Sequence, residues 1–205
     1  MEQTDFSPTV AIVLAAGLSR RMGEPKLLLP WGQTTILGQT LTNVLASSVD
    51  AVLLVTGFQR ELIEAMAAAR GVSTVHNADY ATGEMLSSLQ CGLRQLPDTT
   101  GAVLVVLGDQ PLISGETIDL ILAANRNGAG SLVAPSFGKR QGNPVLIARR
   151  HFSELLALPP GSAPQDLLRK HPQELILVPV ESDSVLKDID SPESYQRLRP
   201  KKKVG

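Results

Sequence analysis

Four apolar segments of strand length constrain the fold of this chain more than any other feature of its sequence. They are rich in Val, Leu and Ile, and most of them lack the polar alternation of a half-exposed strand. Strands of this kind are buried on both faces of a parallel sheet. The four predicted strands are Val10–Ala15, Ala51–Val55, Ser73–His76 and Ala102–Leu107.

Segments between and after these strands carry apolar residues three and four positions apart, which predicts amphipathic helices. Strands that alternate with helices predict a three-layer α/β/α, Rossmann-like domain with a mostly parallel sheet. The predicted helices are Thr35–Ser47, Arg60–Arg70, Met85–Leu96 and a segment from Ser114 to about Asn127 that Gly128 ends.

The last third of the chain is less regular. Its later strands can pair antiparallel, so the sheet is expected to be mixed. No linker or repeat divides the sequence, so residues 1–200 are predicted to form one domain and residues 201–205 a basic, flexible tail. The predicted strands are Ser131–Pro135, Pro144–Ala148 and Glu174–Val180, with a turn at Phe137–Asn143 and helices near Arg149–Leu156, Pro164–His171 and Pro192–Leu198.

Composition excludes several classes of protein. The 205 residues carry a net charge of −1, which predicts no large basic surface for nucleic acid. The single cysteine, Cys91, can form neither an internal disulfide nor a thiolate metal site. The first apolar run is too short to span a membrane and enters a glycine loop, so it predicts neither a signal peptide nor a membrane anchor. We therefore expect a cytoplasmic protein without nucleic-acid or membrane partners.

The first strand ends in a glycine-rich, cationic loop. Gly17 opens this loop, Ser19 follows, and Arg20, Arg21 and Lys26 supply positive charge. Glycine and serine let backbone amides turn toward phosphate oxygens, and arginine and lysine neutralise the phosphate charge. The spacing of the glycines matches neither the dinucleotide-binding fingerprint nor the P-loop. The loop is therefore predicted to bind phosphates in a different manner.

Polar loops also follow the other three strands. Thr56-Gly57 comes after the second strand, Asn77 to Gly83 after the third, and Gly108-Asp109 after the fourth. In open α/β sheets ligands bind outside the carboxyl ends of the strands. The sequence therefore predicts that these loops gather into one site at one edge of the sheet.

Acidic residues in two segments predict a magnesium site. Asp109 directly follows a strand, and Asp188 and Asp190 share one face if their segment is extended. Carboxylate oxygens are the ligands that Mg²⁺ prefers. The alternative is structural, because Asp109 can cap the turn before Pro111 and Asp190 can support a helix that begins at Ser191.

The cationic loop resembles the signature L-A-[AG]-G-x-S-x-R-M-G-x-x-K of the nucleotidyltransferases that complete the molybdenum cofactor. The resemblance covers about residues 10–198. Within this family the sequence is most similar to the cytidylyltransferase branch, which transfers CMP from CTP to molybdopterin. Further motifs carry it in the same order: Leu29-Pro30-Trp31-Gly32, Val55-Thr56-Gly57, His76 to Gly83, Gly108-Asp109-Gln110-Pro111, Gly142-Asn143-Pro144-Val145 and Asp188 to Glu193.

This resemblance implies a nucleotidyltransferase fold of the GT-A type, a magnesium cofactor, and CTP and molybdopterin cofactor as substrates, with a molybdoenzyme as recipient. By this resemblance Asp109 and Asp190 are the metal ligands, and Arg21, Lys26 and Asp109 are catalytic. The nucleotide-binding residues it implies are Leu14, Ala15, Ala16, Gly17, Ser19, Arg21, Lys26, Thr56, Gly57, Asn77 and Asp109.

The implied reaction needs little acid–base chemistry, because the terminal phosphate of molybdopterin is already largely ionised at neutral pH. The histidines fit such a reaction. His151 and His171 are predicted to lie in helical, surface-like contexts, and His76 is interpreted as a positioning or structural residue. The family's guanylyltransferase branch has glycine at the position of Ala16, whose methyl group would crowd a purine. Asn77 is expected either to contact the base or ribose or to form a turn.

Candidate acceptor-binding residues are less well defined. The chain departs from the family pattern at Glu84, an acid near an anionic substrate, and at Asn143, where histidine is common. The alternatives are GTP or another phosphorylated acceptor in the same reaction, and a non-catalytic partner that carries the cofactor to a molybdoenzyme. The candidate acceptor-binding residues are Gly83, Ser87, Ser88, Gly142, Asn143 and Pro144.

Overall fold

The structure is a computed structural model that describes residues 7–82 and 84–200. Gly83 and the basic segment 201–205, for which the sequence predicts acceptor binding and a flexible tail, lie outside the described residues. The described strands are β1 (Thr9–Ala15), β2 (Pro30–Trp31), β3 (Thr34–Thr35), β4 (Ala51–Thr56), β5 (Ser73–His76), β6 (Ala102–Leu107), β7 (Leu132–Phe137), β8 (Arg140–Gln141), β9 (Val145–Ala148) and β10 (Leu175–Pro179).

Helices alternate with these strands, as the sequence predicts. Within the described residues no helix is both long enough and apolar enough to cross a membrane. The described α-helices are α1 (Ile36–Leu45), α2 (Arg60–Ala68), α3 (Met85–Leu93), α4 (Gly115–Arg126), α5 (Phe152–Ala157), α6 (Pro164–Lys170) and α7 (Pro192–Leu198).

One large mixed sheet organises the chain. Its strand order is β10-β7-β9-β6-β1-β4-β5, and the short β8 pairs with β7. β1 lies between β6 and β4 and is parallel to both, β5 is parallel to β4, and β10 is parallel to β7. β9 runs antiparallel to both of its neighbours, β6 and β7. The predicted mostly parallel sheet with antiparallel pairing of later strands is confirmed.

Alternate residues of β1 point into two separate hydrophobic cores. Ala11 and Val13 contribute to the core under α1, α2 and α4, and Ile12 to the core under α3, α5 and α6. All three side chains are fully buried. A strand covered on both faces has no need for polar alternation, which is why β1 reads as a continuous apolar run. The predicted three-layer α/β/α architecture is confirmed.

Side-chain caps define where the helices begin. The hydroxyls of Thr35, Ser114 and Ser191 accept hydrogen bonds from backbone amides in the first turns of α1, α4 and α7. Each cap satisfies one of the amides that a helix N-terminus leaves unpaired. Gly128, with φ of +71°, follows the end of α4 as expected.

Two short features were not predicted from the sequence. β2 and β3 form a hairpin in which Trp31 is buried, and the expected turn at Phe137–Asn143 instead contains β8, paired with the end of β7. Strands of two residues are too short to show a hydrophobic period, so only their pairing identifies them.

The prediction that His151 lies in a surface-like context is wrong. The side chain is buried and its Nε2 lies 2.8 Å from the hydroxyl oxygen of Ser131. The predicted single helix is divided into a 3₁₀ turn, Arg149–His151, and α5. A 3₁₀ turn has three residues per turn instead of 3.6, so residues before and after the junction do not follow one helical face. His171 is half-buried.

The close packing of α3 on the sheet gives a test of the fold. A Cβ atom at Gly92 would lie 2.9 Å from Ile12 Cγ2 and 3.1 Å from Val55 Cγ2. We expect Gly92→Ala to lower the free energy of unfolding by about 1–3 kcal/mol, because overpacking outweighs the better helix propensity of alanine. Urea denaturation measures this change. Gly17→Ala is the matched control, because a Cβ there meets no atom within 4 Å; equal stability of both variants would contradict this packing.

Candidate nucleotide and metal site

Hydrogen bonds within the loop after β1 and the buried side chain of Met22 hold this loop in place. Met22 is buried in the core and its amide donates to the carbonyl of Ser19 at 2.9 Å. Ser19 adopts a left-handed conformation with φ of +53°, and its Oγ accepts a hydrogen bond from the amide of Lys26 at 3.2 Å. Such conformations cost energy in residues other than glycine and are found at functional sites. The hydrogen bond between Ser19 and Lys26 therefore joins the two ends of this part of the loop.

The Lys26 ammonium forms the centre of the site. Its Nζ donates to Asp109 Oδ2 at 2.5 Å and to Asp190 Oδ1 at 2.7 Å. Arg21 Nη2 donates to the other oxygen of Asp190 at 2.6 Å. Four residues that the sequence assigned to phosphate and metal binding are thus joined by ion pairs across the fold.

Backbone contacts bring the two acidic segments together. The amide of Ile189 donates to the carbonyl oxygen of Asp109 at 3.0 Å, and the Ile189 side chain is buried in the core. Its neighbours Asp188 and Asp190 are thereby held beside the end of β6. The hydroxyl of Ser194 accepts the amide of Asp190, so the cap of α7 also fixes this segment. The predicted helix start at Ser191 is confirmed, and the hydrogen bonds of this helix cap also hold Asp190.

Burial and ion pairing shift the pKa values of the charged groups in this centre in different directions. Burial raises the pKa of Asp109, although Lys26 opposes the shift. Burial alone would lower the pKa of Lys26, but the two carboxylates outweigh it and the pKa is raised. Against the effect of burial, Lys26 and Arg21 lower the pKa of Asp190, while burial and Asp190 raise that of Asp188. Lys26 therefore stays cationic and Asp190 anionic.

The donor set of this centre fits a hard divalent cation. Asp109 Oδ1 is buried, and among the described residues no donor reaches it. A buried carboxylate oxygen without a partner is costly, and a bound cation would satisfy it. Asp190 lies on the other side of the Lys26 ammonium, so one positive charge already bridges the two carboxylates. Oxygen ligands of this kind suit Mg²⁺ or Mn²⁺.

A cleft of about 670 Å³ opens beside this centre. The loop after β1, the loop after β5, the start of α3 and the end of β6 form its walls. The predicted site residues that line it are Leu14, Ala16, Gly17, Ser19, Lys26, Ser88 and Asp109.

Other predicted nucleotide-binding residues lie beneath the cleft. Ala15 and Thr56 are buried, and a Cβ at Gly57 would lie 2.8 Å from that of Ala16, so Gly57 lets β4 approach the loop closely. Asn77 is buried and donates from its side-chain amide to the hydroxyls of Ser87 and Ser88 at 3.0 Å each. These residues support the walls of the cleft, and their contact with a nucleotide stays a prediction.

The structure divides the predicted acceptor residues among different surfaces. Ser88 lines the main cleft, whereas Ser87 faces a separate cavity behind the loop after β5. Gly142 and Asn143 line a second cleft of about 530 Å³, which also contains Gln110 and Asp188. The peptide bond between Asn143 and Pro144 is cis.

Sequence reasoning missed several residues of the main cleft. The loop after β5 contributes Tyr80 and Thr82, and the start of α3 contributes Glu84 and Met85. Of these four residues only Glu84 stands out in the sequence, as an acid that departs from the family pattern. Leu27, in the 3₁₀ turn Lys26–Leu28, also lines the cleft. It is an apolar residue, so the sequence gives no sign that it belongs to the site.

Comparison with known proteins identifies the family of this chain. Residues 11–175 match the family model of the MobA-like NTP transferase domain. Molybdenum cofactor cytidylyltransferase of Escherichia coli (strain K12) is 29% identical over 185 residues, covering 90% of this chain and 92% of that protein. Nicotine blue oxidoreductase of Paenarthrobacter nicotinovorans is 29% identical over 205 residues, covering 97% of this chain and 100% of that protein.

A solved structure adds evidence on the metal. Rv0371c of Mycobacterium tuberculosis H37Rv, in complex with manganese, matches with a TM-score of 0.80 and 26% identity, over 94% of this chain and 98% of that chain. Members of this family commonly use divalent metal ions. The family resemblance predicted from the loop and acidic motifs is confirmed: this chain belongs to the MobA-like NTP transferase domain family and is a nucleotidyltransferase.

Proposed function

We propose that the protein transfers CMP from CTP to the terminal phosphate of molybdopterin cofactor, giving molybdopterin cytosine dinucleotide and pyrophosphate with Mg²⁺ as cofactor. The observation that carries this proposal is the Lys26 ammonium, which Asp109 and Asp190 hold beside a cleft lined by the loop after β1. The similarity to the cytidylyltransferase of E. coli supports the choice of nucleotide and acceptor. A molybdoenzyme would receive the product.

Asp109 and Asp190 are the residues that would hold the magnesium ion. Bound there, the ion would neutralise charge on the triphosphate and on the departing pyrophosphate. The unpartnered Asp109 Oδ1 supports this assignment, because it is an acceptor without a donor in the described part of the chain.

Lys26 and Arg21 would bind the phosphate oxygens. The Lys26 side chain is largely buried and fixed, whereas Arg21 is 76% exposed and can turn from Asp190 toward a ligand. An oxygen of the acceptor phosphate, already ionised, attacks the α-phosphorus of CTP, and the bond from that phosphorus to the β-phosphate oxygen breaks. Catalysis then consists of alignment and charge neutralisation, without a general base.

The second cleft is the proposed entry for the acceptor. Gln110 and Asp188 line it, and they directly follow or flank the residues of the metal centre. Arg140, Arg169 and Asn143 line the same cleft and supply cationic and amide groups for an anionic substrate. An acceptor in this cleft would meet a nucleotide in the main cleft at Asp109.

The proposed nucleotide preference leads to a direct assay of the reaction. We expect pyrophosphate release with CTP and molybdopterin cofactor together and much less with GTP, because Ala16 lines the cleft and its methyl group would crowd a purine. Pyrophosphate release is measured with each nucleotide, with and without the acceptor. Faster release with GTP would reject the proposed base. A redox activity like that named for the nicotine blue relative would release no pyrophosphate.

The role of Asp109 is tested by substitution. We expect Asp109→Asn to reduce turnover at least about a hundredfold, because it weakens a metal ligand and a partner of Lys26 in the transition state. The measurement is pyrophosphate release, with circular dichroism to check the fold. Asp119→Asn is the matched control, because Asp119 lies in α4, accepts hydrogen bonds from Ser48 and does not line the main cleft. A fully active Asp109→Asn variant would remove Asp109 from the mechanism.

Base selection at Ala16 gives a separate prediction. We expect Ala16→Gly to shift the ratio of kcat/KM for GTP over CTP by about tenfold toward GTP, because a methyl-sized change in a pocket is typically worth about 1–3 kcal/mol. Ala15→Gly is the control, since Ala15 is buried in the core and outside the cleft. An unchanged ratio in Ala16→Gly would assign base selection to other residues.

A further inference from the structure

A cluster of two histidines and two glutamates lies at the opposite edge of the sheet from the nucleotide site. β9 runs antiparallel to β6, so the residues after its end lie near the beginning of β6. His151 and Glu154 follow β9, and His171 and Glu174 connect α6 to the start of β10. Two of the three histidines of the chain therefore meet in a place where the proposed reaction uses neither.

The side chains of this histidine–glutamate cluster are close to one another. The ligand atoms of His151, Glu154 and His171 all lie within 4.8 Å of one another. His171 Nε2 is 2.6 Å from Glu154 Oε2, and the two imidazole rings are 4.9 Å apart. Glu174 approaches both rings, at 3.3 Å from His151 Nε2 and 3.5 Å from His171 Nδ1.

The sequence repeats one spacing at this place. His151 and Glu154 are three residues apart, and so are His171 and Glu174. The pairs contact each other crosswise, because His171 approaches Glu154 and Glu174 approaches His151. Residues from three separate elements thus converge, although no single segment of the sequence carries the complete set.

We propose that His151, Glu154 and His171 bind one zinc-class divalent metal ion, with Glu174 orienting the imidazoles. Two imidazole nitrogens and a carboxylate oxygen are a donor set that favours Zn²⁺ and its transition-metal neighbours over Mg²⁺. A carboxylate that contacts a metal-binding histidine fixes its ring orientation, which is the position that Glu174 occupies. A fourth position remains for water.

The surroundings of the cluster are compatible with a bound cation. Lys170 contacts Glu154 through Oε1, whereas His171 contacts Oε2, so a metal at the histidine side leaves that ion pair in place. Arg150 pairs with Glu174 and is 62% exposed. His151 is only 5% exposed at its side chain, so a metal held there is shielded from solvent on one side.

Such an ion would be separate from the proposed nucleotidyl transfer. It would link the 3₁₀ turn and α5 to the segment between α6 and β10, since His151 and His171 are 20 residues apart in the sequence. Metal binding would then stabilise this edge of the domain. The inference stands on the cluster alone and holds whichever nucleotide or acceptor the enzyme uses.

Zinc binding by the full chain tests the proposal. Equilibrium dialysis against Zn²⁺ in excess Mg²⁺ is followed by metal analysis, with the magnesium present to occupy the oxygen ligands of Asp109 and Asp190. We expect one zinc per chain in the unmodified protein and loss of that zinc in His171→Gln and in Glu154→Gln. His76→Gln is the matched control and should keep the zinc, because His76 lies at the end of β5, outside the cluster.

Two further measurements keep the test decisive. Glu174→Gln should weaken zinc affinity about tenfold without abolishing it, as expected for a residue that orients a ligand. Zinc should raise the thermal midpoint of the unmodified protein and of His76→Gln, but not that of His171→Gln or Glu154→Gln. The proposal is overturned if the unmodified protein binds no zinc, or if His171→Gln and His76→Gln bind it equally.

Discussion

The ion pairs of Lys26 with Asp109 and Asp190 are the interaction on which the site depends. Each partner comes from a different part of the chain: a loop after β1, the end of β6, and the segment before α7. The ion pairs favour the charged forms of Lys26 and Asp190, whereas burial still raises the pKa of Asp109. The centre therefore joins the beginning and the end of the chain at one edge of the sheet.

The architecture of the first two thirds of the chain follows from its sequence. β6 lies where its apolar run predicts it, because a strand buried on both faces leaves an unambiguous pattern. β5 also has its predicted bounds, although it is an edge strand whose first two residues are exposed. The site at the carboxyl edge follows from the same pattern, since parallel strands bring their following loops together. The sequence therefore predicts that Gly17, Lys26 and Asp109 share one site, and all three line the main cleft.

What the sequence did not reveal depends on contacts between distant segments. The burial of His151 and its approach to His171 arise from the packing of two short helices that no local period describes. Asn77 forms the turn that was one of its two predicted roles, because its Oδ1 accepts a hydrogen bond from the amide of Asp79 at 3.1 Å. Its additional side-chain hydrogen bonds to Ser87 and Ser88 were not predicted. Side-chain partners of this kind are set by tertiary packing, which outweighs local propensity.

The reversal of β9 places the two ends of this strand at opposite edges of the sheet. Because it runs antiparallel to β6, its first residues lie near the end of β6 and its last residues near the beginning of β6. The loop before β9 lines the proposed acceptor cleft, and the histidine–glutamate cluster follows the end of the strand. A change in the loop before β9 would therefore alter the proposed acceptor cleft without touching that cluster.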